Sequence, residues 1–353
     1  MSLTESFYGR PANHAFWNGC STGGRQGLAA AQKHPEDFDG ILAGAPAHYW
    51  TEFIISTLWP QVAMREVGYY PPACVLDAIA NASIEDCDAN DGVEDGVITD
   101  PSECEFDPSQ IVGTKVTCED GEVEITEEAA SVVRMIWDGP IIGGKKLWHG
   151  MTVGSELSIL AGSQDVKRTT VSVPFFVADA WVRYYAKEDP EFDTGSIDVE
   201  GFASLFQESK EQFDSIIGAS DPDLSKFTQA GGKLLLWHGL ADQTVFPQSS
   251  VQYFEEVQRT IGATDDTFRL FLAPGVDHWG GGISALAHGA IPKDPFSELV
   301  AWVESGEAPD VLEAETLPSF GKHFTRKICD FHQVARVREG EDSDVAESYE
   351  CAL

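Results

Sequence analysis

Residues 16–32 read FWNGCSTGGRQGLAAAQ. Within them Gly19-Cys20-Ser21-Thr22-Gly23 fits G-x-S-x-G, the pattern that sets a serine on a sharp turn between a strand and a helix. The flanks agree with that placement. NHAFWNGC (13–20) predicts a short buried strand running into the turn, and GGRQGLAAAQKHPEDF predicts a helix whose small residues let it lie close to a sheet. DGILAGAP (39–46) predicts a second apolar strand, so the run is the strand-helix-strand unit of a parallel sheet. Glycines on both sides of Ser21 permit a strained turn. The following helix would aim its free N–H groups at a developing oxyanion. By itself the five-residue pattern is weak, since surface loops match it by chance.

The same rhythm returns late in the chain. KLLLWHG predicts a buried strand and ADQTVFP the loop at its C-terminal end, within residues 231–247. SSVQYFEEVQRTIG (249–262) predicts an amphipathic helix. TFRLFLAPGVDHWGGG (267–282) predicts a strand running into a glycine-rich loop, and DPFSELVAWVESGEAPD (294–310) a helix closed by Gly306. Asp242 and His278 each follow a predicted strand. The order Ser21, Asp242, His278 is the one expected where all three loops meet at one edge of an α/β-hydrolase sheet. His278 would then take the Ser21 proton while Asp242 orients the imidazole. Asp277 is a rival that follows no strand end as Asp242 does, and His238, inside its strand, reads as structural or pocket-lining.

Residues 1–50 and 231–353 thus predict two parts of one α/β layer. Residues 51–230, with a cysteine cluster, an acidic loop and amphipathic segments, predict an inserted lid. Its aromatics Phe175, Phe176, Trp181, Tyr184 and Tyr185 are candidates to contact a substrate, although such spacing more often builds core.

The acidic loop is EDCDANDGVEDGVITDPSEC (85–104). Asp88, Asp91 and Asp95 lie close together there among glycines, a density of oxygen donors that suits Ca²⁺. The spacing is not that of an EF-hand, and a solvated acidic turn explains it equally well. Cys87 and Cys104 bracket the loop.

Composition sets outer limits. The chain has 353 residues, 23 Lys+Arg against 58 Asp+Glu, and a formal net charge of −35. Such an acidic surface repels nucleic acid and anionic membranes. No apolar run approaches the roughly 20 residues that span a bilayer. Four of the seven cysteines cluster at 74–118 and two more lie near the C-terminus, which suggests disulfides and an oxidising compartment. The start MSLTESFYGR has no signal-peptide character. With disulfide-like cysteines present, an absent N-terminal piece is expected.

Together FYGRPANHAFWNGCSTGGRQGLAAAQKHPEDFDGILAGAPA, CDANDGVEDGVITDPSEC, WHGLADQTVFP, APGVDHWGGG and RKICDFHQVARVREGEDSDVAESYEC resemble the tannase and feruloyl esterase family, over nearly the whole chain. The resemblance implies a secreted α/β-hydrolase-fold esterase with a large lid and a structural calcium site, acting on small aromatic esters. It implies catalytic Ser21, Asp242 and His278, with the backbone N–H of Thr22 as an oxyanion donor. It implies calcium ligands in the side chains of Asp88, Asp91 and Asp95 and the carbonyls of Val93 and Val97. It further implies disulfides Cys87–Cys104 and Cys329–Cys351, and suggests Cys74–Cys118.

Two departures stand out. The family bonds the cysteine before its serine to a cysteine after its histidine, but here Trp279 follows His278, leaving Cys20 unpaired. Family members also carry earlier strands and a second oxyanion donor ahead of the serine, so a partial sheet, lacking its N-terminal strands, is expected. Losing one such donor typically costs about 10²–10³ in rate. The alternatives left open are an inactive fragment or pseudoenzyme of the same fold, and a calcium-dependent extracellular binding module.

Overall fold

Apolar runs with no polar alternation demand burial on both faces, and here they form the centre of a parallel sheet. A computed structural model describes residues 2–166, 169–262, 264, 266–280, 284 and 286–353. Strand β1 is Phe16–Cys20, followed by helix α1 (Thr22–Lys33) and strand β2 (Gly40–Gly44). The sequence pattern carries α1 on to Phe38, but the helix ends at Lys33. Pro35 is the cause, because a proline disfavours helical backbone at the residue before it, here His34.

Helices α2 (Trp50–Ser56), α3 (Trp59–Val67), α4 (Ala73–Cys87), α5 (Glu127–Asp138) and α6 (Val199–Ile217) belong to the middle of the chain. Strand β3 (Lys233–Gly239), helix α7 (Gln248–Ile261), strand β4 (Phe268–Ala273) and helix α8 (Pro295–Ser305) then complete the α/β layer. The sheet runs β1-β2-β3-β4 with every neighbouring pair parallel. This mixed architecture fits an α/β-hydrolase-like fold.

Side chains alternate between two apolar clusters, one on each face of the sheet. Ile41, Ala43, Leu234, Leu236 and Leu270 face the larger cluster, which also holds Leu28 of α1, Tyr253 of α7, and Ile54, Leu58, Val132 and Phe202 from the middle of the chain. Leu42, Leu235 and Phe271 face the other cluster with Leu299 and Trp302 of α8. That second face is closed by strands β5 (Val311–Glu315) and β6 (Thr325–Cys329), an antiparallel pair the sequence did not announce. Truncating any of these buried leucines to alanine would cost about 2–5 kcal/mol.

Three disulfides are present: Cys74–Cys118, Cys87–Cys104 and Cys329–Cys351. Among the described residues Cys20 is free. No helix among them is long and apolar enough to cross a membrane.

Candidate active site

Ser21 sits between β1 and α1 with φ of 60°, a left-handed conformation that a non-glycine residue adopts only when its surroundings impose it. Two bonds impose it here. The Ser21 N–H donates to the Gly44 carbonyl at 2.9 Å, and the Ala47 N–H donates to the Ser21 carbonyl at 3.1 Å. Gly19 allows the tight turn, because a Cβ there would lie 2.6 Å from the Gly23 carbonyl.

The Asp242 and His278 loops leave β3 and β4 at the same sheet edge. Gly239 lets them pass closely, since a Cβ there would sit 2.2 Å from the Val276 oxygen. The Ala241 N–H then donates to that oxygen at 2.9 Å. Three residues far apart in sequence are thereby brought together. His278 Nε2 is 3.1 Å from Ser21 Oγ, and His278 Nδ1 is 2.6 Å from Asp242 Oδ2. Asp242 is fully buried and the His278 side chain is 14% exposed.

The Asp242 carboxylate is bonded on both oxygens. Oδ1 accepts from the Thr244 N–H at 2.9 Å, the Thr244 hydroxyl at 3.1 Å and the Val245 N–H at 2.8 Å. Burial pushes this carboxyl up, but the His278 charge and the hydrogen bonds from His238 and His278 outweigh it and hold it far below the usual carboxylate range. For His278 burial acts downward. The charge and hydrogen bond of Asp242, aided by Asp277, win and raise the imidazole above its ordinary value.

Sequence reasoning missed two supports. Gln243 Oε1 accepts the His278 backbone N–H at 3.0 Å, and His238 bonds Asp242. The Asp-x-Thr spacing of 242–244 was the available signal for the turn itself.

Thr22 is the first residue of α1 and is exposed, so its N–H is one of the four at a helix start that lack a helical partner. Nearby the Cys20 thiol is pushed up to about 12 by burial and then by the Asp242 charge. The side chain of Trp279 lies outside the described residues.

The middle segment reaches this edge through Arg25. Its guanidinium donates to the Ile217 carbonyl at 3.0 Å and lies 5.4 Å over the Trp50 ring. Trp50 packs edge-on against Trp181, which stacks on Tyr185 at 4.9 Å. Of the aromatic candidates Trp181 is buried, Phe175 is half-buried, and Phe176, Tyr184 and Tyr185 are exposed. A cavity of about 710 Å³ between the acidic loop, α7 and the C-terminal strands contains none of Ser21, Asp242 and His278.

The acidic loop carries oxygen donors of the kind calcium takes, and its three aspartates are engaged with protein donors. Among the described residues no group of three or more His, Cys, Asp or Glu is arranged to hold a metal. Asp88 Oδ1 accepts instead from the N–H groups of Asp95, Gly96 and Val97 at 3.0, 3.0 and 3.2 Å. Asp91 accepts from the Val93 N–H and the Thr99 hydroxyl, and Asp95 accepts from Arg326. Val97 then packs against Gly275, three residues before His278.

Comparison with known proteins adds the family. The model of the tannase and feruloyl esterase family matches residues 1–352. A probable feruloyl esterase of Arthroderma benhamiae is 44% identical over 357 residues, covering 99% of this chain and 66% of that protein. The mono(2-hydroxyethyl) terephthalate hydrolase of Piscinibacter sakaiensis is 28% identical over 410 residues, covering 98% and 65%. Among solved structures, feruloyl esterase B from Aspergillus oryzae superposes with a TM-score of 0.82 at 27% identity, covering 99% of this chain and 72% of that one. A tannin acyl hydrolase from Aspergillus niger gives 0.90 at 23% identity, covering 100% and 67%, a likeness of fold. The chain spans about two thirds of the length of the curated relatives it matches. It belongs to the tannase and feruloyl esterase family.

Proposed function

We propose that this chain carries the catalytic machinery of a carboxylic ester hydrolase acting on esters of aromatic, phenolic acids. The observation that supports it most is the 3.1 Å approach of His278 Nε2 to Ser21 Oγ, with the serine on a left-handed turn. Ser21 Oγ attacks the ester carbonyl while His278 Nε2 takes its proton. Asp242 holds the imidazole in the tautomer that leaves Nε2 free to accept, and stabilises the cation that forms. The Thr22 N–H donates to the oxyanion. His278 then gives its proton to the leaving alcohol. It next draws a proton from water, which attacks the acyl carbonyl; the bond from that carbon to Ser21 Oγ then breaks, Oγ takes the proton back from His278 Nε2, and the acid is released.

In this reading residues 51–230 form a lid, and the aromatics around Trp181 and Tyr185 supply contacts for the acyl ring. Three disulfides favour a secreted, oxidising setting. The test is turnover of methyl ferulate and methyl gallate against methyl butyrate. Preference for the aromatic esters supports the reading, and hydrolysis of none of them by a folded chain contradicts it. Calcium in the acidic loop is a separate proposal and requires Asp95 to exchange Arg326 for the ion. Added Ca²⁺ would then raise the melting temperature and a chelator reverse it; an unchanged melt rejects the proposal.

A further inference from the structure

Ester hydrolysis by Ser21, His278 and Asp242 leaves one buried ring at the site unused. His238 lies near the end of β3 and is fully buried. Its Nε2 lies 3.1 Å from Asp242 Oδ2 and 2.9 Å from the Val245 carbonyl, and its Nδ1 lies 2.7 Å from Ser250 Oγ. A carbonyl only accepts, so Nε2 carries the proton and shares it between Val245 and the carboxylate. The Ser250 hydroxyl, on the first turn of α7, meets the ring at Nδ1 and holds its plane.

The carboxylate oxygen that His238 meets is the one that meets His278 Nδ1 at 2.6 Å. Two imidazoles therefore donate to Asp242 Oδ2, while the Thr244–Val245 turn saturates Oδ1. A carboxylate fixed on both oxygens cannot rotate in its plane. The second donor also withdraws electron density from Oδ2, which weakens its hold on the His278 proton.

Few other titratable groups among the described residues lie in this neighbourhood. His48, after β2, is lowered to about 4, chiefly by burial, and donates Nδ1–H to the Pro46 carbonyl at 2.8 Å. Cys20 on β1 keeps its proton. Asp277 lies on the His278 loop and adds to the negative charge that His278 meets.

We propose that His238 is a positioning residue for the reaction: its Nε2–H locks the Asp242 carboxylate and tempers its pull on the His278 proton. The inference rests on the esterase reading for its role in turnover.

The test uses the full chain with His238→Leu, which removes the donor, and His238→Gln, which returns an amide donor. Two readouts are taken: the ¹⁵N titration of the His278 ring, assigned against His278→Ala, and the pH profile of kcat/KM for methyl ferulate. Hydrogen bonds to a carboxylate lower its basicity, so losing one moves the His278 midpoint and the acid limb upward together, by about half to one pH unit. The Leu variant should also lose about ten- to a hundredfold in kcat through misplacement, with KM unchanged. The Gln variant should recover at least half of both effects.

A folded Leu variant whose midpoint and acid limb match the unsubstituted chain overturns the inference, as does a Gln variant indistinguishable from Leu. If the Leu variant does not fold, His238→Met, which fills the space with a flexible side chain and likewise has no donor, decides, and an unmoved His278 midpoint there overturns it too. A shifted midpoint in a chain without turnover keeps this inference and removes the esterase reading. Intact turnover with an unmoved midpoint does the reverse.

Discussion

Asp242→Asn removes the charge of the carboxylate while keeping its shape, and the structure dictates which way the new amide must face. At the Oδ1 position three donors converge at 2.9, 3.1 and 2.8 Å. Two of them are backbone N–H groups that cannot reverse, so an NH₂ there would leave buried donors facing donors. The amide oxygen therefore takes the Oδ1 position and the NH₂ takes the Oδ2 position, pointing at His278 Nδ1. That nitrogen must now accept, so the imidazole proton moves to Nε2 and points at Ser21 Oγ. The base is occupied before the reaction starts. In a hydroxyl-imidazole-carboxylate triad this wrong tautomer costs about 10⁴ in kcat, or about 5 kcal/mol of barrier. The His238 Nε2–H loses one acceptor and keeps the Val245 carbonyl, which sets a stability cost of about 1–3 kcal/mol. The assay is kcat on an aromatic ester beside a thermal melt. A folded Asn variant that retains more than a tenth of kcat would refute the tautomer argument.

The His278 imidazole is raised in the folded chain, so kcat/KM should fall on the acid side with a midpoint above the ordinary histidine value of about 6.5. The same shift gives a stability term that is complete below the unfolded value and is lost as pH rises through the folded one, and unfolding titrations across that window would measure it. Gly19→Ala places a Cβ 2.6 Å from the Gly23 carbonyl, and a drop of about 1–3 kcal/mol in denaturant titration is expected. Cys20, pushed up to about 12, should have a thiolate fraction on the order of 10⁻⁴ at about pH 8 and resist iodoacetamide until the chain unfolds; rapid alkylation of the folded chain would contradict this.

The sheet was legible in the sequence where burial is complete. GILAG of β2 and LLLW of β3 have no polar side chain, and both lie in central strands. The Ser21 turn was legible because glycine is the residue that close backbone approach requires. Asp242 and His278 were legible by their place after strands. What stayed hidden depends on long-range partners. Arg326 meets Asp95 across 231 residues, and no local spacing of carboxylates announces a cation brought from the far end of the chain. His238 reads as structural or pocket-lining because its neighbours within the strand are apolar; its partnership with Asp242 exists only once the chain turns at Gly239.

Covalent labelling of Ser21 by a fluorophosphonate probe tests the central claim most directly. Peptide mapping should find the adduct on Ser21 of the folded chain, and His278→Ala should abolish it without lowering the melting temperature by more than a few degrees. A folded chain in which Ser21 stays unlabelled, or is labelled equally well without His278, would contradict the account.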